Sequence, residues 1–335
     1  MNRAAAIGPI DLAKIPHIEV GGAGPLTLAK ADPVRFQAIM AAGAAHYGHR
    51  ALRIGDWLSA QWLKAAANPY RSEIADIAAW GNTPGAYLLN LSYEWTCTTA
   101  TAADTDGVGN RLLRTLDWPL DGLGRHVVVA RMAGPAGAYE NITWPGFTGV
   151  ATAMAPGRFA AALNQPPMRR WSFSCWLDWA VNRTRLWRRR ALPPVHLLRH
   201  VFDTCRTYAE AKQALMETPL AMPAFITLSG LEPGEGCVVE RQEDRAHVRN
   251  APASVANHWI AAAVPGRTRG VDSHGRHALM ETLHNAPGDS FDWLQPPILN
   301  ATTRLAVVAN AAKGTLTVQG WEKDGPATQV FHGGK

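Results

Sequence analysis

Between residues 33 and 84 apolar side chains recur at helical spacing, in "DPVRFQAIMAAGAAHYGHRALRIGDWLSAQWLKAAA" and beyond, and the Asp-Pro pair opens the run as a helix start. "GAYLLNLSYEW" then reads as an extended run. From Cys97 to about Asn164 the period shortens to that of strands. "TCTTATAADTDGVGNRLLRTLDW" predicts two strands around a turn near Gly107–Gly109, and "RHVVVARMAG" and "ENITWPGFTGVATAMAPGRFAAALN" continue with Gly and Pro punctuation. Residues 171–218 return to helix. In "PPVHLLRHVFDTCRTYAEAKQALMETP" there are two segments, the second starting near Thr207 and stopping before Pro219. "AFITLSGLEPGEGCVVERQEDRAHVRN" predicts strands, "SHGRHALMETLHN" a helix, and "RLAVVANAAKGTLTVQGW" a closing hairpin. Helices and strands come in blocks rather than alternating singly, which argues against a Rossmann-type parallel sheet. The expected class is α+β, with two antiparallel sheets layered between helices.

Composition adds limits. A chain of 335 residues makes one large domain or two ordinary ones, and 47% hydrophobic with 18% charged residues is the balance of a folded core, not of a disordered chain. A net charge of +6 is too mild at this length to imply a nucleic-acid partner. Thirteen Trp suit broad apolar pockets or interfaces. The opening "MNRAAAIGPIDLAKIPHIEV" has no signal-peptide core, and no window reaches the ~18 apolar residues of a membrane span, so a cytoplasmic location is expected. Cys97, Cys175, Cys205 and Cys237 form no CxxC pair and no metal-ligand spacing; they read as free thiols. His274, His277 and His284 lack the spacing of a zinc site, and neither metal nor cofactor is expected.

One stretch brings chemistry to mind. If the strands around "GVGN" pair as a hairpin, Arg114 and Asp117 return beside Cys97. A cation there would favour the thiolate and make Cys97 a nucleophile. On residues alone, a buried small cysteine and a surface ion pair fit as well.

The stretch resembles the acid ceramidase and N-acylethanolamine acid amidase family of N-terminal nucleophile (Ntn) cysteine hydrolases, which are related to penicillin acyltransferases. In that family a run like "LLNLSYE" precedes the nucleophile's "CTT", and an Arg–Asp segment follows, here "LLRTLDW". "TWPGFTGVATAMAPGRFAAALNQ", the block from "LPPVHLL" to "GEGCVVER", "VANHWI" and "VDSHGRHALM" resemble later family motifs in order, across roughly residues 80–320. The resemblance implies a four-layer αββα Ntn-hydrolase sandwich. It implies self-cleavage at Thr96–Cys97, which would release residues 1–96 as a helical small subunit that stays associated with a catalytic core of residues 97–335. The freed α-amine would act as base for the Cys97 thiol. Arg114 and Asp117 would flank it, Asn257 would stabilise the oxyanion, and Arg276 would be the later family arginine, with Arg267 and Arg269 in reserve. Asn164, Trp144, Trp176, Trp179 and His258 are the expected substrate-binding residues. The implied activity is hydrolysis of a ceramide- or N-acylethanolamine-like amide through a Cys97 thioester; acyl transfer, or a degenerate acyl-binding protein, are the alternatives.

Three departures stand out. The family's acidic residue after "N" is replaced in Asn164-Gln165-Pro166, so an acidic pH optimum does not follow. The family's Tyr after "TN" is His258, and "DSHGR" is spaced differently around Arg276. "RRWSFSCWLDWAVNRTRLWRRRALPP" interleaves Trp with Arg. That pattern suits a helix burying Trp and solvating Arg, an acyl-substrate or membrane-surface rim, or single-stranded nucleic acid. The family places helices near its acyl entrance here, which favours the rim over nucleic acid.

Overall fold

The computed structural model describes residues 12–92, 94–284 and 290–334. Most of the opening stretch, Tyr93 of "LNLSYE" and Asn285 of "ETLHN" lie outside them.

The chain begins with β1 (His17–Gly21) and five helices: α1 (Pro25–Ala31), α2 (Pro33–Tyr47), α3 (His49–Ala65), α4 (Arg71–Gly81) and α5 (Ala86–Leu91). Asp32 caps α2 by accepting from Arg35 N at 3.0 Å, and Pro33 at the first helical position needs no partner for a missing N–H. The segment expected to be extended folds instead as α5. The cause is remote: the Asp56 carboxylate accepts from the backbone N–H of Gly85, Tyr87 and Leu88 (2.6, 3.1 and 2.8 Å), which satisfies the start of the helix. Asp56 lies on α3, about thirty residues upstream, so no local pattern announces it. The N-terminal piece is also not purely helical, because β1 pairs in parallel with a later strand.

Next come β2 (Thr96–Ala103) and β3 (Asn110–Asp117), then β4 (Val128–Gly134), β5 (Gly137–Thr143), β6 (Thr152–Ala155), β7 (Phe159–Asn164) and the short β8 (Met168–Arg169). Helices α6 (Cys175–Arg188), α7 (Pro194–Thr204) and α8 (Tyr208–Glu217) follow, with Thr207 capping α8. The rest comprises β9 (Ala224–Ser229), β10 (Gly236–Arg241), β11 (Ala246–Asn250), β12 (Ala253–Val255), β13 (Gly266–Arg267), α9 (Ser273–Leu283), β14 (Thr303–Asn310), β15 (Thr315–Glu322), β16 (Gly325–Pro326) and β17 (Phe331–Gly333). The final hairpin is extended, since β16 and β17 both add to β15.

One sheet runs β1-β4-β5-β6-β7-β9-β10-β11, and the other β12-β2-β3-β14-β15-β16. They face each other across the main core, where Leu112, Leu116, Leu305 and Val307 of one sheet meet Ala161, Leu163, Ile226 and Leu228 of the other. Helices α7 and α8 cover the outside of the first sheet, and α9 covers the second, through Met280 against Ala100, Leu113 and Val308. These are the four αββα layers expected. No helix among the described residues is long and apolar enough to cross a membrane.

Candidate active site around Cys97

The β2–β3 register puts Thr96 opposite Asp117, Cys97 opposite Leu116, and Thr99 opposite Arg114. Side chains alternate faces along a strand. Cys97 and Thr99 therefore point toward the other sheet, as Arg114 does, while Asp117, three residues further, points to the α9 side. The two residues flank Cys97 from opposite faces of the hairpin.

Cys97 is fully buried. Burial pushes its thiol up to about 11, and the Arg114 guanidinium opposes that rise. Arg114 is also fully buried; its Nη1 donates to Leu163 O at 2.8 Å, and its guanidinium faces the Cys97 thiol. A buried cation is costly to keep. Its place beside a thiol gives it a use, because it is the charge a thiolate would need.

On the other side, the Cys97 N–H donates to Asn257 Oδ1 at 3.0 Å. Arg276 Nη2 donates to the same oxygen at 2.9 Å, and Arg276 Nη1 donates to Cys97 O and Thr98 Oγ1 at 2.8 and 2.9 Å. Asp117 lies 3.5 Å from Arg276 Nη1 and accepts from Thr303 Oγ1 and Asn300 Nδ2. Burial pushes its carboxyl above the ordinary range, against Arg276 and these donors. Two donors converging on Oδ1 fix the Asn257 amide, so its Nδ2 faces Gln165 O at 2.7 Å. In the continuous chain Asn257 thus holds the Cys97 nitrogen, and its donor is already engaged. Arg276 sits one turn into α9, whose cap, Asp272, accepts from Gly275 N at 2.9 Å. Of the reserve arginines, Arg267 pairs with Asp178 at 2.7 Å, and Arg269 lines the cavity described next.

Asn164 is buried: its Nδ2 donates to Val255 O and Ala256 O, its Oδ1 accepts from Thr99, and it braces the strand that delivers Asn257. A cavity of about 230 Å³ adjoins Gln165, lined by Glu94, Arg169, Trp179, Arg183, Arg269 and others. It shares Leu91, Trp179, Arg183, Leu186 and Met222 with an apolar groove of about 520 Å³ between α3 and α6, walled by Ile54, Leu58, Trp62 and Trp187. Trp179 stands at the junction. Trp176 lines neither space and is 81% exposed. Trp144 is buried at a separate apolar cavity with Phe36 and Trp118, its Nε1 donating to Leu123 O. His258 lines a third cavity, beyond Asn257. Sequence reasoning missed Gln165 as the partner of Asn257, Ser273 (which accepts from Asn257 N at 2.8 Å), and the α3 wall of the groove. Only α3 left a signal, its amphipathic pattern; the others are set by the fold.

Two facing sheets between helices, with a cysteine near the start of a central strand, define the Ntn-hydrolase fold. A solved structure, the Caenorhabditis elegans N-acylethanolamine-hydrolyzing acid amidase (NAAA) ortholog, shares it, with a TM-score of 0.50 and 20% identity over 64% of this chain and 93% of that one. Within that class the chain is similar to the acid ceramidases: it is 30% identical to acid ceramidase of Heterocephalus glaber over 104 residues (31% of this chain, 25% of the relative), and 26% identical to that of Balaenoptera acutorostrata scammoni over 206 residues (53% and 49%). The matches thus span from about a quarter to half the length of these curated relatives. No family model matches the chain.

Proposed function

We propose that the chain is a self-processing cysteine amidohydrolase acting on an N-acyl lipid or small-molecule amide. The observation that carries this reading is the buried Arg114 cation facing the buried Cys97 thiol, with the Cys97 nitrogen held by Asn257. In self-cleavage the Cys97 sulfur attacks the Thr96 carbonyl, the C–N bond breaks, and water hydrolyses the resulting thioester. The Cys97 nitrogen becomes an α-amine, which ordinarily titrates at ~7.7–8.0 and can take the thiol's proton. Asn257 Oδ1, which accepts from the Cys97 nitrogen at 3.0 Å, would hold that amine, with Asp117 behind Arg276, and Arg114 would stabilise the thiolate. In turnover the thiolate attacks the substrate carbonyl and the amine passes its proton to the leaving nitrogen. Water then attacks the thioester, giving up a proton to the amine, and the carboxylic acid leaves.

The groove between α3 and α6 suits the acyl chain, entered past Trp179. Phe173 (94% exposed), Trp176 (81%) and Trp57 (63%) are exposed on or beside those helices, among the arginines of α6, which suits contact with an anionic lipid surface. The test is a mass spectrum of the purified chain over a range of pH. It should show a fragment ending at Thr96, and Cys97→Ala should remain one 36.2 kDa chain. A wild-type chain that hydrolyses N-acyl amides while intact overturns the self-processing reading. With graded acyl lengths, kcat/KM should rise about fourfold per carbon, at ~0.8 kcal/mol per CH₂, until the groove is full. A flat series removes the lipid-amide reading.

A further inference from the structure

Asn257 is gripped from its main chain as well as its side chain. Its N–H donates to Ser273 Oγ at 2.8 Å, and that oxygen lies 2.8 Å from His258 Nδ1. With the Ser273 oxygen already accepting from Asn257, its one hydroxyl proton is free to go to Nδ1. Donation to Nδ1 needs a neutral imidazole carrying its proton on Nε2; a protonated ring would make the Ser273 oxygen accept twice and leave its own proton to find another partner. The His258 ring stacks on His274 with centroids 3.9 Å apart and meets the edge of His277 at 5.2 Å. Arg276 and Arg249 also bear on it. The nearby carboxylates are turned to other partners: Glu240 pairs with Arg249 at 3.1 Å, and Glu281 lies 3.4 Å from His277. A cavity of about 410 Å³, lined by His258, Trp259, Ser273 and His274, lets water reach the ring.

We propose that Ser273 and His258 are positioning residues that set Asn257, and through it the Cys97 nitrogen, and that protonation of His258 releases this arrangement. The proposal rests on the reading of Cys97 given above. A protonated His258 would turn a donor toward Ser273 and meet two histidines and two arginines. Burial first, and then these neighbours, lower its titration to about 4. The neutral, positioned state therefore holds above that value and is lost as pH falls through it.

In the cleaved enzyme, Ser273→Ala should lower kcat about tenfold with KM little changed, the size of one lost net hydrogen bond, and Ser273→Thr should restore it. His258→Gln keeps an acceptor for Ser273 but cannot titrate. Measured against its own plateau, its acid limb should move to lower pH than in the wild type. A separate readout needs no turnover. Imidazole ¹H–¹⁵N spectra should show neutral His258 protonated on Nε2, with a titration midpoint that rises in Ser273→Ala. An unmoved acid limb in His258→Gln, an unchanged kcat in Ser273→Ala, or an unmoved midpoint overturns the proposal. Absent self-cleavage and turnover with the expected spectra would instead count against the reading of Cys97, leaving the hydrogen-bond chain standing.

Discussion

Arg114 is a fully buried cation that faces the Cys97 thiol. Removing its charge should raise the pH at which Cys97 becomes reactive, since the Arg114 charge holds the thiol down against burial. Arg114→Met should therefore slow alkylation of Cys97 in the cleaved enzyme by at least about tenfold at pH 7, while Tm changes little or rises, because an apolar side chain of similar length ends the desolvation cost. A large fall in Tm with unchanged alkylation would make Arg114 a structural residue. Asn257 is judged by its bonds to the Cys97 N–H and to a charged arginine. Hydrogen bonds to charged groups contribute ~1.5–3 kcal/mol, so Asn257→Ala should lower kcat roughly 10- to 100-fold, with a smaller change in KM. The position of Asn257 is legible in "VANHWI". The direction of its amide is not, because Gln165 and Arg276 set it from 92 and 19 residues away.

At the scale of elements, the β2–β3 hairpin was readable: small and β-branched residues on one arm, leucines with two arginines among them on the other, and glycines at the turn. Gly107 and Gly109 both have positive φ, 79° and 73°. They differ in surroundings. A Cβ on Gly107 meets nothing within 4 Å, whereas one on Gly109 would lie 2.5 Å from Ala312 Cβ and 3.0 Å from Leu231 O. Gly107→Ala should thus cost about 1–2 kcal/mol, the left-handed penalty alone. Gly109→Ala should cost more, by a further ~1–3 kcal/mol of overpacking, measured as a lower denaturation midpoint at unchanged slope. Equal losses would mean that the Ala312 loop yields freely. The α5 segment was not readable, since the apolar "AYLLNL" fits either a short buried strand or a helix. What decides it is Asp56 and the fit of Leu88 over Gly55, where a Cβ would come within 2.7 Å. The groove between α3 and α6 depends on that helix, so its shape was hidden from the sequence for the same reason.

At the scale of the whole molecule, the question is what would hold residues 12–96 to the core once the chain is cut. The first piece supplies β1 to the larger sheet, along β4, and α4 places Glu73 against Arg199 in a bidentate pair that also involves Thr148 O. Asn90 accepts from Thr148 N and Oγ1 and donates to Gly146 O. At the centre lies His196, fully buried, between Asn68 of the first piece at 2.9 Å and Thr148 at 3.1 Å, under the Tyr70 ring. Burial, with Arg199 beside it, lowers His196 from its ordinary 6.5 to about 3. The dissociated or unfolded chain then binds more protons than the assembled one between those values. The contribution is complete above 6.5 and is lost as pH falls toward 3, by ~1.4 kcal/mol per unit at most. The cleaved pieces should therefore co-elute on a sizing column at pH 7 and resist dilution, then separate or unfold with falling pH. His196→Gln removes this titration and should flatten the dependence, at the cost of weaker association at pH 7. Pieces that part at pH 7 without denaturant would show that the shared sheet edge and the buried network do not suffice to hold them.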